Sequence, residues 1–211
     1  MSFFENTRKP QGLGGKLMVN MMNIGHRALA SWGMQFLHLS ADANVLDCGC
    51  GGGANIKKIL KQCPQGIVTG IDYAAVSVEK ARRLNVAAIS AGRCAVQQGS
   101  VDHIPAVSGG FDAVTAFETV YFWPDLHLCF REVYRVLKPG GTFLICNECG
   151  GDHDRDEKWT QMIDGLTIYS DIQLNRALQT AGFRDVQIHK NTRGWLCVTA
   201  QNEEAMAHRP D

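Results

Sequence analysis

The chain has 211 residues, of which 45% are hydrophobic and 20% charged, a composition typical of a single globular domain that buries its own core. Its 21 Lys and Arg residues balance 21 Asp and Glu residues, so the formal net charge is zero. Because proteins that bind a nucleic-acid backbone usually carry a basic excess, this balance argues against a nucleic-acid partner. No apolar run approaches the length of a membrane span and no secretory signal is visible, so we expect a cytoplasmic protein without a membrane partner.

Two helical stretches are predicted in the first forty residues, at 16–23 and 26–39, and Gly25 separates them. Together they contain four methionines, Met18, Met21, Met22 and Met34. We expect residues 1–40 to form a helical cap that belongs to the same domain as the rest of the chain. Two arrangements are open for this cap: a cover across a substrate site, or packing against a face of the sheet.

From residue 44 onward, short apolar runs alternate with helical patterns, which predicts βαβ units and a mostly parallel sheet. Strands are predicted at residues 45–46, 67–71, 94–97, 111–117 and 142–146, and helices at residues 54–62, 75–91 and 125–137. A helix at 171–181 is followed by strands at 186–190 and 195–200, which a short turn joins into a hairpin. We therefore expect one domain over residues 41–201 and a polar tail over 202–211.

The segment 45–53, with the sequence VLDCGCGGG, is the most informative stretch of the chain. It follows a predicted strand and opens a helix, which is the context of a ligand-binding loop. Glycines there allow the backbone to approach a ligand closely. Asp47 at the end of the strand would repel a pyrophosphate, but it suits the cationic methionine end of S-adenosylmethionine (SAM). The loop therefore favours SAM over a dinucleotide.

Asp72 ends the second predicted strand. A carboxylate at this place can accept hydrogen bonds from both hydroxyls of a ribose, a feature that SAM and nicotinamide sites share. It therefore does not discriminate between the two cofactors. The alternative interpretation is an acidic residue at the beginning of a helix.

With these residues, the chain resembles the class I SAM-dependent methyltransferases from about residue 44 to residue 200. Further segments that carry the resemblance are QGSVD at 98–102, FDAVTAFET at 111–119, and the helix and turn at 130–141 that end in RVLKPGG. The resemblance implies an α/β fold, a Rossmann-like three-layer sandwich with a seven-stranded, mostly parallel sheet whose last strand is antiparallel. It also implies bound SAM, converted to S-adenosylhomocysteine. The cofactor-binding residues that it implies are Asp47, Gly49, Gly51, Asp72, Tyr73, Gly99, Ser100, Val101 and Phe117.

Residues 118–124, ETVYFWP, follow the fourth predicted strand, where many relatives place acceptor contacts. Three aromatic rings beside a carboxylate can hold a flat or cationic acceptor. The alternative is that the rings pack the loop and Glu118 is solvated. The candidate substrate-binding residues are Tyr121, Phe122, Trp123 and Trp159, and the candidate general bases are Glu118, His26 and His153. The charged run 151–157 is predicted to be an exposed loop.

The expected function is transfer of a methyl group from SAM to a small-molecule acceptor by in-line displacement, in a monomer or homodimer. The Asn/Asp-Pro-Pro-aromatic motif of many nucleic-acid methyltransferases is absent, which again disfavours nucleic acid. An alternative is a SAM-binding regulatory or non-transferring module on the same fold. Arsenite methylation is disfavoured because the cysteines fall mostly in the glycine loop and the strands. No metal is expected, since Cys146 and Cys149 have no second pair to complete a site.

Overall fold

The computed structural model describes residues 27–151 and 154–203. Its helices are α1 (Arg27–Gly33), α2 (Ala54–Gln62), α3 (Ala75–Leu84), α4 (Val86–Ser90), α5 (Leu126–Val136), α6 (Asp154–Met162) and α7 (Asp171–Thr180). Its strands are β1 (Asn44–Cys48), β2 (Ile67–Asp72), β3 (Cys94–Gln98), β4 (Phe111–Phe117), β5 (Leu137–Asn147), β6 (Arg184–Lys190) and β7 (Leu196–Gln201). Short 3-10 turns cover Met34–Phe36 and Val120–Phe122.

The strands form one seven-stranded sheet in the order β3-β2-β1-β4-β5-β7-β6. Neighbours from β3 to β5 are parallel, whereas β7 is antiparallel to both β5 and β6. This confirms the predicted Rossmann-like α/β fold, including the antiparallel last strand. The direction of winding reverses between β1 and β4, and in such sheets ligands bind outside the carboxyl ends of the strands at the reversal.

Hydrophobic residues on both faces of the central strands explain why the sheet is covered on both sides. In β1, the adjacent residues Val45 and Leu46 are both fully buried, and they belong to the core clusters on opposite faces. Two of the helices that cover the sheet, α5 and α7, begin with side-chain caps. Asp125 accepts a hydrogen bond from Leu128 N at 2.9 Å, and Ser170 forms a capping box with Gln173.

The single helix predicted over residues 75–91 is wrong, because Asn85 divides it into α3 and α4. The side-chain amide of Asn85 donates to the backbone oxygens of Ala81 and Gly53, at 2.9 and 3.1 Å. Asparagine competes in this way with the backbone hydrogen bonds of a helix. Nothing in the periodicity of the segment predicts this break, since the partner at Gly53 lies far along the chain.

The fifth strand is longer than predicted. It begins at Leu137, directly after α5, so that the Pro-Gly-Gly turn expected at 139–141 is part of the strand. The reason is tertiary pairing: Gly140 N donates to Asn202 O at 3.0 Å, and Asn202 N donates to Gly141 O at 2.9 Å.

The exposed loop predicted over residues 151–157 is also wrong, because α6 begins within it. Asp156 is only 4% exposed, and its carboxylate accepts a hydrogen bond from Gly151 N at 2.9 Å. At least one charge of this run is therefore buried and not solvated.

The described part of the N-terminal cap packs against a face of the sheet. Leu29, Met34 and Leu37 are buried in the same core cluster as Val45 of β1. A Cβ at Gly33 would lie 2.5 Å from Cys146 Sγ, so α1 contacts β5 closely. The predicted helix at 16–23 and His26 lie outside the described residues, as do 204–211. No helix in the described ranges is long and apolar enough to cross a membrane.

Candidate functional site at the carboxyl edge of the sheet

The glycine loop, residues 49–53, leaves the carboxyl end of β1 and leads into α2. The N–H groups of Gly49 and Cys50 both donate to Ile71 O of β2, at 2.8 and 2.9 Å. Gly49 has a φ of +70°, and a Cβ there would lie 2.1 Å from Thr119 Oγ1, so no side chain fits. Gly51 has a φ of +52°, and beyond its two chain neighbours no atom of the described chain lies within 4 Å of its Cβ position. The backbone at Gly51 therefore borders open space, where a ligand can contact it.

Asp72 joins this loop to the end of β2. Its Oδ2 accepts a hydrogen bond from Gly51 N and its Oδ1 accepts one from Ala74 N, both at 2.9 Å. Burial raises the pKa of its carboxyl group, which is 8% exposed. The side chain of Ser77 also donates a hydrogen bond to this carboxylate. Because a carboxylate offers about four acceptor sites, capacity remains for about one more donor. A ribose hydroxyl fits this remaining capacity.

Asp47 lies beneath the loop and is 1% exposed. Its Oδ1 accepts a hydrogen bond from Thr115 Oγ1 at 2.7 Å, across the β1–β4 pair. Its Oδ2 is buried and has no hydrogen-bond partner within the described part of the chain. Burial raises the pKa of this carboxyl group to about 7. A cationic group above the loop would stabilise the ionised form of Asp47 and lower this pKa.

The carboxyl end of β3 completes the same side of the site. Gly99 N donates to Asp72 O at 3.1 Å, and Gln98 Nε2 donates to Tyr73 O at 2.9 Å. Val101 is 8% exposed, whereas 40% of Tyr73 is exposed and Ser100 is also exposed. The structure thus places Tyr73 and Gly99 beside Asp72, and Ser100 and Val101 follow directly in the chain.

Two further predicted residues lie at the end of β4. The ring of Phe117 is 7% exposed and faces Gly33 of α1, since a Cβ there would lie 3.1 Å from Phe117 Cε1. Glu118 has an unusual positive φ of 59°, and its N–H donates to Cys146 O at 2.9 Å. This backbone geometry directs the chain from β4 across the end of β5.

The carboxylate of Glu118 is held by hydrogen bonds and is not freely solvated. It accepts a hydrogen bond from the N–H of Glu148 and one from Tyr121 Oη, the latter at 3.2 Å. Tyr121 Oη in turn accepts from Cys149 N at 2.8 Å. Burial raises the pKa of Glu118 to about 8. A carboxyl group with a pKa near neutrality can exchange a proton with a bound molecule.

The aromatic residues after β4 divide between the edge of the sheet and the core. Tyr121 is buried in the network of Glu118, and Phe122 packs edge-on against it with a centroid distance of 6.3 Å. Trp123 is stacked on Phe143 at 6.2 Å, and its Nε1 donates to Thr119 Oγ1 at 3.2 Å. The structure gives Trp123 the packing role that was the alternative to substrate contact.

The remaining candidates of the acceptor side lie beyond β5. Trp159 is on α6 with 42% of its surface exposed. His153 lies outside the described residues. All eight cysteines lie inside them and are free thiols, and burial raises the pKa of Cys149 to about 12. The described residues contain no group of three or more His, Cys, Asp or Glu side chains that could hold a metal ion.

Asn147 ends β5, next to the hydrogen-bond network of Glu118 and Tyr121. It is not among the site residues predicted from the sequence. It is fully buried, and neither its Oδ1 nor its Nδ2 has a hydrogen-bond partner among the residues that the structure describes. Leaving such atoms unpaired typically costs about 1–3 kcal/mol each. No pattern in the sequence distinguishes this residue from an ordinary polar residue at the end of a strand.

Comparison with known proteins shows which family model and which proteins the chain is similar to. Residues 46–145 match a family model described as a methyltransferase domain. Cycloartenol-C-24-methyltransferase of Arabidopsis thaliana is 30% identical over 159 residues, which are 70% of this chain and 46% of that protein. Demethylmenaquinone methyltransferase of Lactiplantibacillus plantarum is 34% identical over 134 residues, which are 62% of this chain and 56% of that protein. The chain therefore spans about half the length of these two curated relatives.

A solved structure shares the fold. A SAM-dependent methyltransferase from Aquifex aeolicus superposes with a TM-score of 0.73 at 19% identity. The superposition covers 89% of this chain and 98% of that chain.

Proposed function

We propose, on the premise that the chain belongs through residues 46–145 to the family of methyltransferase domains, that it binds SAM and transfers the methyl group to a small molecule. One observation carries the proposal: two buried carboxylates, Asp47 and Asp72, meet a glycine loop with an open backbone at Gly51. Asp72 is hydrogen-bonded to that loop, and Asp47 keeps an unpaired oxygen beneath it.

The residues at this edge fit SAM part by part. Asp47 favours the cationic methionine end, through the amides of the loop, while Gly49 and Gly51 allow the backbone to lie against it. Asp72 accepts a hydrogen bond from a ribose hydroxyl. The predicted contacts of the adenine ring are Tyr73, Gly99, Ser100 and Val101, and Phe117 closes the site from β4. When bound, SAM supplies a methyl group on a positively charged sulfur that a nucleophile can displace in line, leaving S-adenosylhomocysteine.

The acceptor side is proposed to lie between the ends of β4 and β5. Glu118 accepts the proton of an acceptor hydroxyl or amine, and Tyr121 orients its carboxylate through their hydrogen bond. Phe122 and Trp159 are the proposed apolar contacts. Trp123 supports this loop from the core. His26 and His153 remain predicted alternatives for the base.

The same proposal covers location and partners. Eight free thiols, of which seven are buried, suit a reducing compartment, so we place the protein in the cytoplasm. The balanced charge supports a small-molecule acceptor over nucleic acid. A monomer or homodimer without a membrane partner is the proposed state.

The first test measures transfer of labelled methyl from SAM to a panel of thiols, amines, phenols and carboxylates, with S-adenosylhomocysteine as the readout. Transfer to one chemical class supports the proposal. Tight SAM binding without transfer to any class favours the alternative of a non-transferring SAM module. Absence of SAM binding in calorimetry overturns both.

A pair of aspartate variants tests the site itself. Asp72→Ala removes charge-assisted hydrogen bonds worth about 1.5–3 kcal/mol, so SAM affinity is expected to fall about 10–100-fold. Asp112→Ala is the matched control, because Asp112 also accepts two hydrogen bonds, from Asn44 N at 2.8 Å and Lys138 Nζ at 2.7 Å, but at the opposite edge of the sheet. Equal SAM affinity in the two variants would contradict the assignment of Asp72.

A further inference from the structure

The glycine loop is held in place by hydrogen bonds that come from one side. Ile71 O accepts from Gly49 and Cys50 at the beginning of the loop, and Asp72 accepts from Gly51 in the middle. At its end, Gly53 O accepts a hydrogen bond of 3.1 Å from Asn85 Nδ2. Each of these groups belongs to β2 or to the end of α3.

Asn85 is itself held firmly. It is 2% exposed, its Nδ2 also donates to Ala81 O at 2.9 Å, and its backbone N–H donates to the same oxygen at 3.1 Å. Its backbone oxygen accepts from Ile89 N at 3.0 Å, which begins α4. Both hydrogens of the amide are therefore used, one within α3 and one on the loop.

The end of the loop is in direct contact with this asparagine. Gly53 has a φ of +77°, and a Cβ there would lie 2.5 Å from Asn85 Nδ2 and 2.9 Å from Ala81 Cα. A glycine-rich segment loses more conformational entropy on ordering than any other. Apart from the buried side chain of Cys50, hydrogen bonds hold this segment in one conformation.

We infer that Asn85 is a positioning residue for the SAM site, which it serves by fixing Gly53 O and thereby the open backbone at Gly51. The inference rests on the proposed function. α3 begins just after Asp72 and is followed directly by Asn85. It therefore links the hydrogen bond between Asp72 and Gly51 to the one between Asn85 and Gly53. Asn85 touches no position assigned to the cofactor, so its effect passes through the loop.

The test compares Asn85→Ala with Asn202→Ala. Asn202 is the matched control, because it is 7% exposed and its Nδ2 also donates to two backbone oxygens, of Tyr134 and Leu137, at 3.2 and 3.0 Å. It lies beyond the end of β7, at the opposite edge of the sheet. We expect both variants to lose similar thermal stability, but only Asn85→Ala to raise the Kd for SAM. A loop in its binding conformation one tenth of the time gives a rise of about tenfold.

A second readout needs no ligand. Amide hydrogen exchange of residues 49–55 is expected to be faster in Asn85→Ala and unchanged in Asn202→Ala. Asn85→Ser serves as a second variant in case Asn85→Ala does not fold. Its hydroxyl can still donate to Ala81 O, four residues earlier, but it is too short to reach Gly53 O. It should weaken SAM binding as Asn85→Ala does.

The outcomes separate the two proposals. Wild-type SAM affinity and loop exchange in a folded Asn85→Ala or Asn85→Ser variant overturn the role of Asn85. Equal weakening of SAM binding by Asn85→Ala and Asn202→Ala also overturns it, since it would reflect general loosening. A wild-type protein that binds no SAM overturns the proposed function instead, and the exchange of residues 49–55 still decides whether Asn85 holds the loop.

Discussion

The glycines at 49, 51 and 53 all have positive φ, but the space around each differs. Gly49 leaves room for Thr119, and Gly53 leaves room for Asn85 and Ala81. Only Gly51 borders open space. A side chain at 49 or 53 therefore disturbs the fold, whereas a side chain at 51 meets the space in which the proposed ligand lies.

Gly51→Ala is predicted to weaken SAM binding at least tenfold, because the new methyl group enters the proposed site. Gly92→Ala is the control: Gly92 also has a positive φ, +69°, and open space at its Cβ position, but it lies at the amino end of β3. Both substitutions should cost about 1–2 kcal/mol of folding free energy, because alanine is strained at such a φ. Calorimetry with SAM and urea unfolding measure the two effects. Equal affinity of both variants for SAM would contradict the assignment of Gly51.

The affinity for SAM is predicted to rise with pH and to level off above about pH 7. The pKa of Asp47 is about 7 in the free protein because of its burial, and a bound cation lowers it, so binding releases a proton below that pH. Asp72, with a raised pKa of its own, contributes in the same direction. Calorimetry between about pH 5.5 and 8.5, in buffers of different ionisation enthalpy, measures the released proton. Asp47→Asn should flatten the profile, and an unchanged profile in that variant would assign the proton to another group.

For the folding of the free protein, the same group acts with the opposite sign. Between the ordinary pKa of 3.8 and about 7, the folded chain keeps a proton on Asp47 that the unfolded chain has lost. The free energy of unfolding contributed by this group therefore falls as pH rises through that range. At a pH above about 7, Asp47 is therefore most favourable for binding a cation but contributes least to the free energy of unfolding.

Residues within one continuous motif were predictable from sequence, and residues made important by distant contacts were not. Asp47, Gly49 and Gly51 occur together in VLDCGCGGG, and the strand before them sets their place at the carboxyl edge. Asn85 and Asn147 carry no such signal. The hydrogen bonding of Asn85 depends on Gly53, and the place of Asn147 depends on the pairing of β5 with β7.

At the scale of elements, alternation of apolar runs predicted the order of strands and helices, but tertiary contacts moved several boundaries. α5 was predicted nearly to the residue, because Asp125 caps it and its apolar residues recur at helical spacing. The start of β5 was not predicted, since a Pro-Gly-Gly sequence normally indicates a turn. Here its hydrogen bonds with Asn202 make it part of the strand. Local patterns thus give the type of an element more securely than its ends.

The contact of α1 with the sheet gives a prediction for a pair of residues. Gly33→Ala places a Cβ 2.5 Å from Cys146 Sγ, so it should destabilise the protein by about 1–3 kcal/mol through overpacking. Cys146→Ala removes that sulfur. In a double-mutant cycle measured by urea unfolding, the double variant should lose less stability than the sum of the single variants. Strict additivity would mean that α1 does not pack on β5 through this contact.

At the scale of the molecule, the reversal of winding between β1 and β4 brings the ends of four parallel strands together. The four site residues that lie at these ends are far apart in sequence: Asp47 at the end of β1, Asp72 at the end of β2, Val101 after β3 and Glu118 after β4. The sheet therefore assembles one edge with two carboxylates on the proposed cofactor side and one on the proposed acceptor side. This arrangement sets the carboxylate of Asp47 where a dinucleotide would need to place its pyrophosphate.

Thermal unfolding tests that consequence for the whole chain. At a SAM concentration of about 100 times the Kd, binding adds about 2.7 kcal/mol, which for a chain of this size raises the Tm by about 5–11 °C. NAD at the same concentration is predicted to give no rise, because Asp47 repels its phosphates beside the glycine loop. Asp72→Ala should shrink the shift given by SAM, while Asp112→Ala should keep it. A rise with NAD as large as that with SAM would mean that the loop binds a dinucleotide, and the two carboxylates would then need a different explanation.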